Sequence, residues 1–485
     1  MSDGRIMKIA RARLAWGVLA VVAAGSAHAA TLVGGGSFLP ALGYAGSNAA
    51  LNLQVWGNST SNTSYPIAPN SLFGVFSAQA GNPAVSYCQT DDDAGKNIFA
   101  GITAGTTEYN VQNACEGSPY LYAGNATGFG AGFSGVNRAD LTQPNFAATD
   151  SPLNASDYNN YINNHPSGSY PVQFPAVAGA IAIVFNLVDS EDNQVTSSEV
   201  NFTDAQLCEI FSGEITNWSD TRLASAFTLP VGDSIPSNPI NVQYRTDGSG
   251  TTFGLSNHLT WVCGGTITSN VFETNQAFTS MVANFFTKNG VETLPSNWTG
   301  FSGELHLALA VLNAPNSLAY VETANALAED PNLQIADVNG ASPVTNFGTA
   351  LNLPVTAVVF NEVINPTNAT NGTYQLEAIS AIPGVTNPPT TSCIALVKPF
   401  LYSKPHTLGG LLPSGSYPIV AVSYLLGNTN GNGSDLVATQ ALLAAPYTSS
   451  ITSNVTTIGP GTGLAFLTLG TDAFTASQVG DCLVN

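Results

Sequence analysis

Charged residues are scarce in this sequence, and positively charged residues are the rarest. Charged side chains make up 9% of the 485 residues, and 11 Lys and Arg stand against 31 Asp and Glu, for a formal net charge of −20. Nucleic acids and anionic membrane surfaces are bound by clustered Lys and Arg. The composition therefore argues against a nucleic-acid partner. After residue 29 the only arginines are Arg138, Arg222 and Arg245, so each is a candidate for a specific role.

Long apolar runs are also missing, and the one at the N-terminus is short. Four basic residues within positions 5–13 precede the apolar run 14–24, and Ala27-His28-Ala29 then supplies small residues. This order is typical of a signal peptide. We expect cleavage near Ala29–Ala30 and a protein located in the periplasm or outside the cell. No cysteine sits at the cleavage point, so the lipid anchor of a bacterial lipoprotein is not expected.

Motifs of common hydrolases and of metal sites do not occur. The sequence contains no CxxC, GxSxG or HExxH, and its histidines are scattered. We therefore expect no catalytic residues, no metal and no cofactor. The six cysteines are an even number, which in an exported protein indicates three disulfides. Their spacing alone does not choose among the pairings.

Predicted strands alternate with predicted helices through the second half of the chain. The apolar run 176–186 predicts a buried parallel strand, and Thr203 to Gln206 forms a capping box that predicts a helix start. Such alternation indicates an α/β architecture with mainly parallel sheets. Residues 41–130 are rich in Asn, Ser and Gly and predict loops. Further strands are expected at 145–153, 240–244, 317–321 and 417–426, and further helices at 253–259, 276–287 and 305–313.

The segment 245–252 carries the clearest chemical signal. A predicted strand leads into a glycine-containing turn, and a predicted helix follows. Backbone N–H groups and the positive end of the helix dipole attract anions at such a helix start. Ser249 and Thr251 add hydroxyl donors, and Arg245 adds a planar fork that fits two phosphate oxygens. The segment predicts an anion site, and a plain tight turn is the alternative.

A family resemblance rests on this segment and on others in the same order along the chain. Residues 245–253 read RTDGSGTTF and closely resemble the phosphate-binding loop of the substrate-binding protein of the phosphate ABC transporter. The cysteine-bearing segment 207–213, LCEIFSG, and the strand at 417–419 are most similar to the DING subgroup of that family. Further matches are GGSFLP at 35–40, TDSPL at 149–153, AGAIAIVFN at 178–186, FTDAQLC at 202–208, IFSGEITNW at 210–218 and SLAYV at 317–321.

The resemblance implies a two-lobed type II periplasmic-binding-protein fold. Each lobe is then a mainly parallel sheet flanked by helices, and crossover strands join the two. We expect residues 1–29 to be the signal peptide, 30–173 and 319–485 to form lobe I with an inserted region at about 41–130, and 174–318 to form lobe II. The resemblance also implies the disulfides Cys208–Cys263 and Cys393–Cys482, which leaves Cys88 with Cys115.

Phosphate-binding residues are implied one by one. Lobe I is expected to supply Ser37, the backbone amide of Phe38, and Asp150. Lobe II is expected to supply Arg245, Ser249, Gly250 and Thr251, with Asp247 orienting Arg245. A carboxylate beside an anion is repulsive unless a proton lies between them, so Asp150 favours hydrogen phosphate over sulfate. The alternative for Asp150 is a turn-capping role before Pro152.

The resemblance breaks down at residues 87–96. The family usually supplies a further hydroxyl from the loop after its second strand, whereas this chain has Asp91, Asp92 and Asp93 there. We expect a solvated acidic loop and assign no ligand from it. A calcium site is the alternative, although EF-hand spacing is absent. The departure puts phosphate affinity in question, but not the fold.

Three classes of function follow from these observations. The first is a monomeric, non-enzymatic binding protein that captures inorganic phosphate and delivers it to an ABC permease in the inner membrane. The second is a secreted phosphatase, which the absent hydrolase motifs do not favour. The third is a secreted DING-like phosphate-binding protein that acts without a permease, which the acidic composition and the inserted region allow.

Overall fold

The computed structural model describes residues 30–46, 55–56, 64–65, 67–102, 129–130, 138, 140–264, 270–288, 290–329, 332–370, 372–389, 393–404, 406–469 and 476–485. The expected signal peptide lies outside these residues, as does Cys115. The cleavage site and the pairing of Cys88 with Cys115 therefore stay predictions.

The described residues contain strands and helices from the N-terminal to the C-terminal end. The strands are β1 Leu32–Gly36, β2 Val55–Trp56, β3 Ser64–Tyr65, β4 Val85–Gln89, β5 Phe146–Thr149, β6 Pro171–Asn186, β7 Asn201–Phe202, β8 Asn241–Arg245, β9 Thr287–Lys288, β10 Val291–Glu292, β11 Thr299–Phe301, β12 Ser317–Glu322, β13 Gln334–Val338, β14 Leu351–Leu353, β15 Val358–Phe360, β16 Glu362–Thr370, β17 Thr373–Ala378, β18 Ala395–Val397, β19 Val420–Asn428 and β20 Leu464–Leu469. The helices are α1 Ala41–Ala45, α2 Leu72–Ala78, α3 Asp92–Phe99, α4 Ala155–Asn164, α5 Asp204–Phe211, α6 Gly250–Val262, α7 Phe278–Met281, α8 Ala283–Phe286, α9 Glu304–Asn313, α10 Thr323–Glu329, α11 Leu436–Leu443, α12 Ser449–Thr452 and α13 Ala476–Asp481.

The fold is two-lobed α/β, as expected, and each lobe has a set of parallel strands. In the first lobe β1 pairs in parallel with β4 and β5. In the second lobe β8 pairs in parallel with β11 and β12. The strands β6 and β19 lie between these sets in one continuous sheet. The residue boundaries expected for the lobes stay a prediction.

The long strand β6 connects the two lobes and corrects one expectation. Residues 171–180 pair with β19 and residues 181–186 pair with β12, and both pairings are antiparallel. The parallel pairing expected for 176–186 is therefore wrong. A continuous apolar run shows that both faces of a strand are buried, as they are here, but it carries no information about the direction of the neighbouring strands.

Part of the region expected to form loops is regular. Residues 67–102 form α2, β4 and α3, and β4 lies beside β1 in the sheet. Phe73, Phe76 and Tyr87 from this part are fully buried. The frequent Gly and Asn residues hide these short elements, because each is only five to eight residues long. The helix expected at 276–287 is also interrupted, since α7 ends at Met281 and α8 begins at Ala283.

Two disulfides join pairs of cysteines within the described part of the chain. Cys208 in α5 is bonded to Cys263 at the end of α6, and Cys393 is bonded to Cys482 near the C-terminus. These are the two pairings that the resemblance implies. Among the described residues, no helix combines the length and the apolar character that crossing a membrane requires.

Candidate functional site

The second-lobe side of the site is the turn between β8 and α6. Strand β8 ends at Arg245, and Ser249 caps α6 by accepting a hydrogen bond from the Thr251 amide at 3.1 Å. Gly250 begins the helix. The Gly250 amide is directed across to the first lobe, where it donates to Asp92, and the positive end of the helix dipole lies at the same place.

The first-lobe side consists of the turns after β1 and β5. Ser37 follows β1 and donates a hydrogen bond from its hydroxyl to the carboxylate of Asp150, which follows β5. Gly36 has φ +126°, and a Cβ there would lie 2.0 Å from the Ala148 carbonyl oxygen. Only glycine fits this close approach of two strands, which brings Ser37 to Asp150.

The two sides meet at Gly250. A Cβ at Gly250 would lie 2.4 Å from the Cβ of Asp150 and 2.6 Å from Oδ2 of Asp92. The expected ligand residues are all buried at this junction, with Ser37, Asp150, Ser249 and Thr251 fully inaccessible, Arg245 1% exposed and Phe38 5% exposed. The structure thus brings the residues expected from both lobes to one place.

Arg245 is surrounded by carboxylates. Its Nε donates to Asp247 at 2.9 Å, its Nη1 donates to Glu304 at 2.7 Å, and its Nη2 forms an ion pair with Asp91. Burial by itself lowers the pKa of Arg245, but Asp247 and Glu304 more than offset this and raise it. The guanidinium therefore stays charged in the protein interior.

The acidic loop enters the cleft, so the expectation of a solvated loop is wrong. Asp91 is 6% exposed and Asp92 is 1% exposed. Asp92 accepts hydrogen bonds from the Gly250 amide at 2.7 Å, from the Thr149 hydroxyl at 2.8 Å and from the Asp150 amide. Helix α3 packs against β1 and β5, and it begins directly at this loop. The acidic composition of this loop does not predict that it is exposed, because donors supplied by the surrounding fold compensate the charges of its carboxylates.

The calcium alternative receives no support from the geometry. Within the described ranges, no group of three or more His, Cys, Asp or Glu side chains is arranged to hold a metal ion. The basic residues Arg245 and Lys96 compensate the loop instead. The Nζ of Lys96 lies 2.8 Å from Asp157, 3.8 Å from Asp93 and 3.2 Å from the side-chain oxygen of Gln276.

Burial, together with neighbouring carboxylates in two cases, raises the pKa values of three carboxyl groups in the cleft. Burial, followed by the nearby charges of Asp92 and Glu322, raises the pKa of Asp150 well above its usual value. Burial and Glu322 do the same for the pKa of Glu304. Burial also raises the pKa of Asp92, against the opposing effect of its hydrogen bonds. Protons are therefore held in this cleft at pH values where isolated carboxyl groups are ionised.

Three residues of the site are absent from the sequence-based set. Glu304 accepts from Arg245 and from the amide of Glu322 at 2.7 Å, and Glu322 accepts from the hydroxyl of Thr251. Lys96 donates to Ser151 at 3.2 Å. Glu304 and Glu322 directly adjoin a predicted helix and a predicted strand. In a chain with so few charges, charged residues at these element ends were the available signal.

Residues 97–402 match the family model described as PBP superfamily domain. The chain belongs to this family. The match covers more than half of the chain and includes β5, β6, β8 and α6, so the elements that form most of the site lie within it.

Curated relatives of this family member have two kinds of names. The chain is 33% identical over 209 residues to "Alkaline phosphatase L" of Pseudomonas aeruginosa, which covers 42% of this chain and 49% of that protein. It is 32% identical over 165 residues to "Phosphate-binding protein PstS" of Xylella fastidiosa, which covers 34% of this chain and 39% of that protein. The chain thus spans half or less of the length of these relatives. The resemblance to phosphate-transporter binding proteins is confirmed by the PstS match.

A solved structure shows the same fold over nearly the whole chain. It is the periplasmic phosphate-binding protein PfluDING bound with phosphate, with a TM-score of 0.52 and 17% identity, covering 93% of this chain and 92% of that one. The likeness concerns the fold. It agrees with the two lobes and the crossover strands described above.

Proposed function

We propose that this chain is an exported solute-binding protein that captures inorganic phosphate between its two lobes. The observation that carries the proposal is the meeting of Arg245, the start of α6 and the pair Ser37–Asp150 at one buried junction. Arg245 and the α6 amides offset the charge of an anion there. Donors close to the ligand decide affinity, so the acidic net charge of the chain does not oppose binding.

Asp150 gives this site its preference among anions. Hydrogen phosphate and Asp150 together hold at least one proton that forms a hydrogen bond between them, which removes the repulsion of two adjacent anions. Sulfate brings no proton, so it forms this hydrogen bond only where Asp150 itself is protonated and is repelled where Asp150 is ionised. The remaining donors are the hydroxyls of Ser37, Ser249 and Thr251 and the amides of Phe38 and Gly250, while Asp247 holds Arg245 in place.

Delivery to an ABC permease is the proposed role of the captured phosphate. The names of the PstS relatives and the signal-peptide pattern support it. The protein then acts as a monomer in the periplasm, and ligand binding stabilises the closed arrangement of the lobes. Secretion without a permease is the alternative role, with which the acidic composition of the chain is compatible.

Enzymatic phosphate release is the second candidate, because relatives carry the name "Alkaline phosphatase L". We propose a binding protein rather than an enzyme, since PstS names are frequent among the relatives. Hydrolysis of p-nitrophenyl phosphate by the purified protein, at a rate that Arg245→Ala abolishes, would favour the enzyme instead.

Calorimetric titration tests phosphate binding directly. Protein stripped of bound anion is titrated with phosphate and, separately, with sulfate. We expect heat of binding with phosphate alone, and its loss in Arg245→Ala. Arg222→Ala is the matched control, because that arginine pairs with Asp220 on the surface and its side chain is 41% exposed. Absence of phosphate binding both in the wild-type protein and in variants that lack the Asp92 carboxylate would contradict the proposal.

A further inference from the structure

Asp92 is bonded as a bound anion would be. One of its oxygens accepts from the first amide of α6 at 2.7 Å, and the other accepts from the Thr149 hydroxyl at 2.8 Å and from the Asp150 amide. These donors come from both lobes. A carboxylate of the chain itself therefore occupies the helix N-terminus that the proposed function assigns to phosphate.

Asp91 forms an ion pair with the Arg245 guanidinium, which the proposed function also assigns to phosphate. Arginine has five N–H donors. In Arg245 the Nε and one Nη2 donor are directed to Asp247 and one Nη1 donor to Glu304, while Nη2 also forms an ion pair with Asp91. Three of the five donors are thus hydrogen-bonded to carboxylates, and Asp91 lies against the remaining side of Nη2. A phosphate that accepts from both Nη atoms has to displace at least one of these partners.

Asp91 differs from the other two partners of Arg245 in its position. Asp247 lies on the same turn as Arg245 and also accepts from the Gly303 amide at 3.0 Å, and Glu304 also accepts from the Glu322 amide at 2.7 Å. Both are held by second-lobe backbone. Asp91 reaches across from the first lobe, so it is the partner that an arriving anion displaces with the least rearrangement.

We propose that the Asp91–Asp92 pair is an internal competitor for the anion site, and that it leaves Gly250 and Arg245 when phosphate binds. This inference rests on the proposed function. The carboxylates and the phosphate need the same N–H groups, and two like charges at one helix start repel each other. Phosphate binding must first break the contacts of Asp92. The free energy of those contacts therefore reduces the free energy of phosphate binding, and Asp92 sets the affinity.

Serine substitution tests the competition. Asp92→Ser removes the carboxylate and keeps a small hydroxyl, and we expect it to lower the Kd for inorganic phosphate at least about tenfold. The control is Asp140→Ser, which removes the same charge from an exposed side chain that pairs with Arg138 at 2.9 Å. We expect its Kd to stay within about twofold of the wild type, because surface charges are largely screened.

The outcomes separate the inference from the proposed function. Phosphate binding by the wild type that Asp92→Ser leaves unchanged or weakens overturns the inference alone. Binding by Asp92→Ser where the wild type shows none supports both. Absence of binding in the wild type, in Asp92→Ser and in Asp92→Asn overturns the proposed function.

A structure of the wild-type protein with phosphate provides a test that needs no variant. We expect a phosphate oxygen at the Gly250 amide and the Asp92 carboxylate beyond hydrogen-bonding distance of it. Phosphate bound between the lobes with the 2.7 Å contact from Asp92 to Gly250 intact would contradict the inference.

Discussion

The two sides of the cleft differ in the groups that they present across it. The second-lobe side presents the main donors, namely the Arg245 guanidinium and the Gly250 amide at the start of α6, and is called the donor side. The first-lobe side presents the carboxylates of Asp91, Asp92 and Asp150 beside the expected donors Ser37 and Phe38, and is called the acceptor side. The family resemblance predicted the donor side through residues 245–253, whereas it predicted no carboxylates at 91–93 on the acceptor side. Affinity for an anion then depends on a balance between the sides and not on the donors alone.

Removing the central charge should have the largest effect. Arg245→Met leaves Asp91, Asp247 and Glu304 without their buried cation, and breaking such a pair costs about 3–5 kcal/mol. We expect that loss in the free energy of unfolding from urea titration. Arg222→Met, at an exposed site, should cost less than about 1 kcal/mol. Equal losses in the two variants would show that the donor side does not depend on charge.

Detaching the C-terminal end of α6 should have the next largest effect on stability. Reducing Cys208–Cys263, or replacing both residues with serine, detaches α6 from α5 and should lower the free energy of unfolding by about 2–4 kcal/mol. Cys393–Cys482 is attached neither to α6 nor to α5. Its removal should therefore change phosphate affinity less than the removal of Cys208–Cys263 does. Calorimetry on both double variants measures this, and an equal influence would contradict it.

Acidic pH should stabilise the protein through the acceptor side. The pKa of Asp150 is raised by burial and then by Asp92 and Glu322, so folding takes up a proton above about pH 4. The contribution of this proton to stability is fully present below the unfolded pKa and is lost as pH rises through the folded pKa. We expect the free energy of unfolding to fall with rising pH by up to about 1.4 kcal/mol per pH unit for each such proton.

Two variants check the origin of that slope. Asp150→Asn should reduce it, while Asp92 and Glu304, whose pKa values are also raised by burial, retain part of it. Asp140→Asn should leave it unchanged above pH 5, because hydrogen bonds from Arg138 lower the pKa of Asp140. Urea unfolding at several pH values measures both. A slope that Asp150→Asn does not alter would place the proton uptake elsewhere.

Single hydroxyls from each side should have the smallest effect. Thr251→Val removes a donor of the second lobe and Ser37→Ala a donor of the first lobe. Each should weaken phosphate binding by about 1 kcal/mol, close to a fivefold rise in Kd. Ser198→Ala, at an exposed hydroxyl, should change nothing. A rise for Thr251→Val alone would mean that phosphate contacts only the donor side.

Local patterns in the chain predicted most elements near the site. The capping box at Thr203 and Gln206 is present with both of its hydrogen bonds, and the helix it opens is α5. The turn before α6 also begins a helix as expected. These features depend on neighbours a few residues apart, and such interactions are readable in a single sequence. The antiparallel pairing of β6 could not be predicted in this way, because its partner strands come from distant parts of the chain.

The sequence by itself determined the α/β class, and the resemblance of its short segments to a known family implied the two disulfide pairings and the residues that gather at the cleft. Only the tertiary structure decided where Asp91 and Asp92 lie. Their position depends on the packing of α3 against β1 and β5 and on donors supplied by Gly250 and Arg245, more than 150 residues later in the chain. A carboxylate is solvated or buried according to such distant partners, and no local pattern records them.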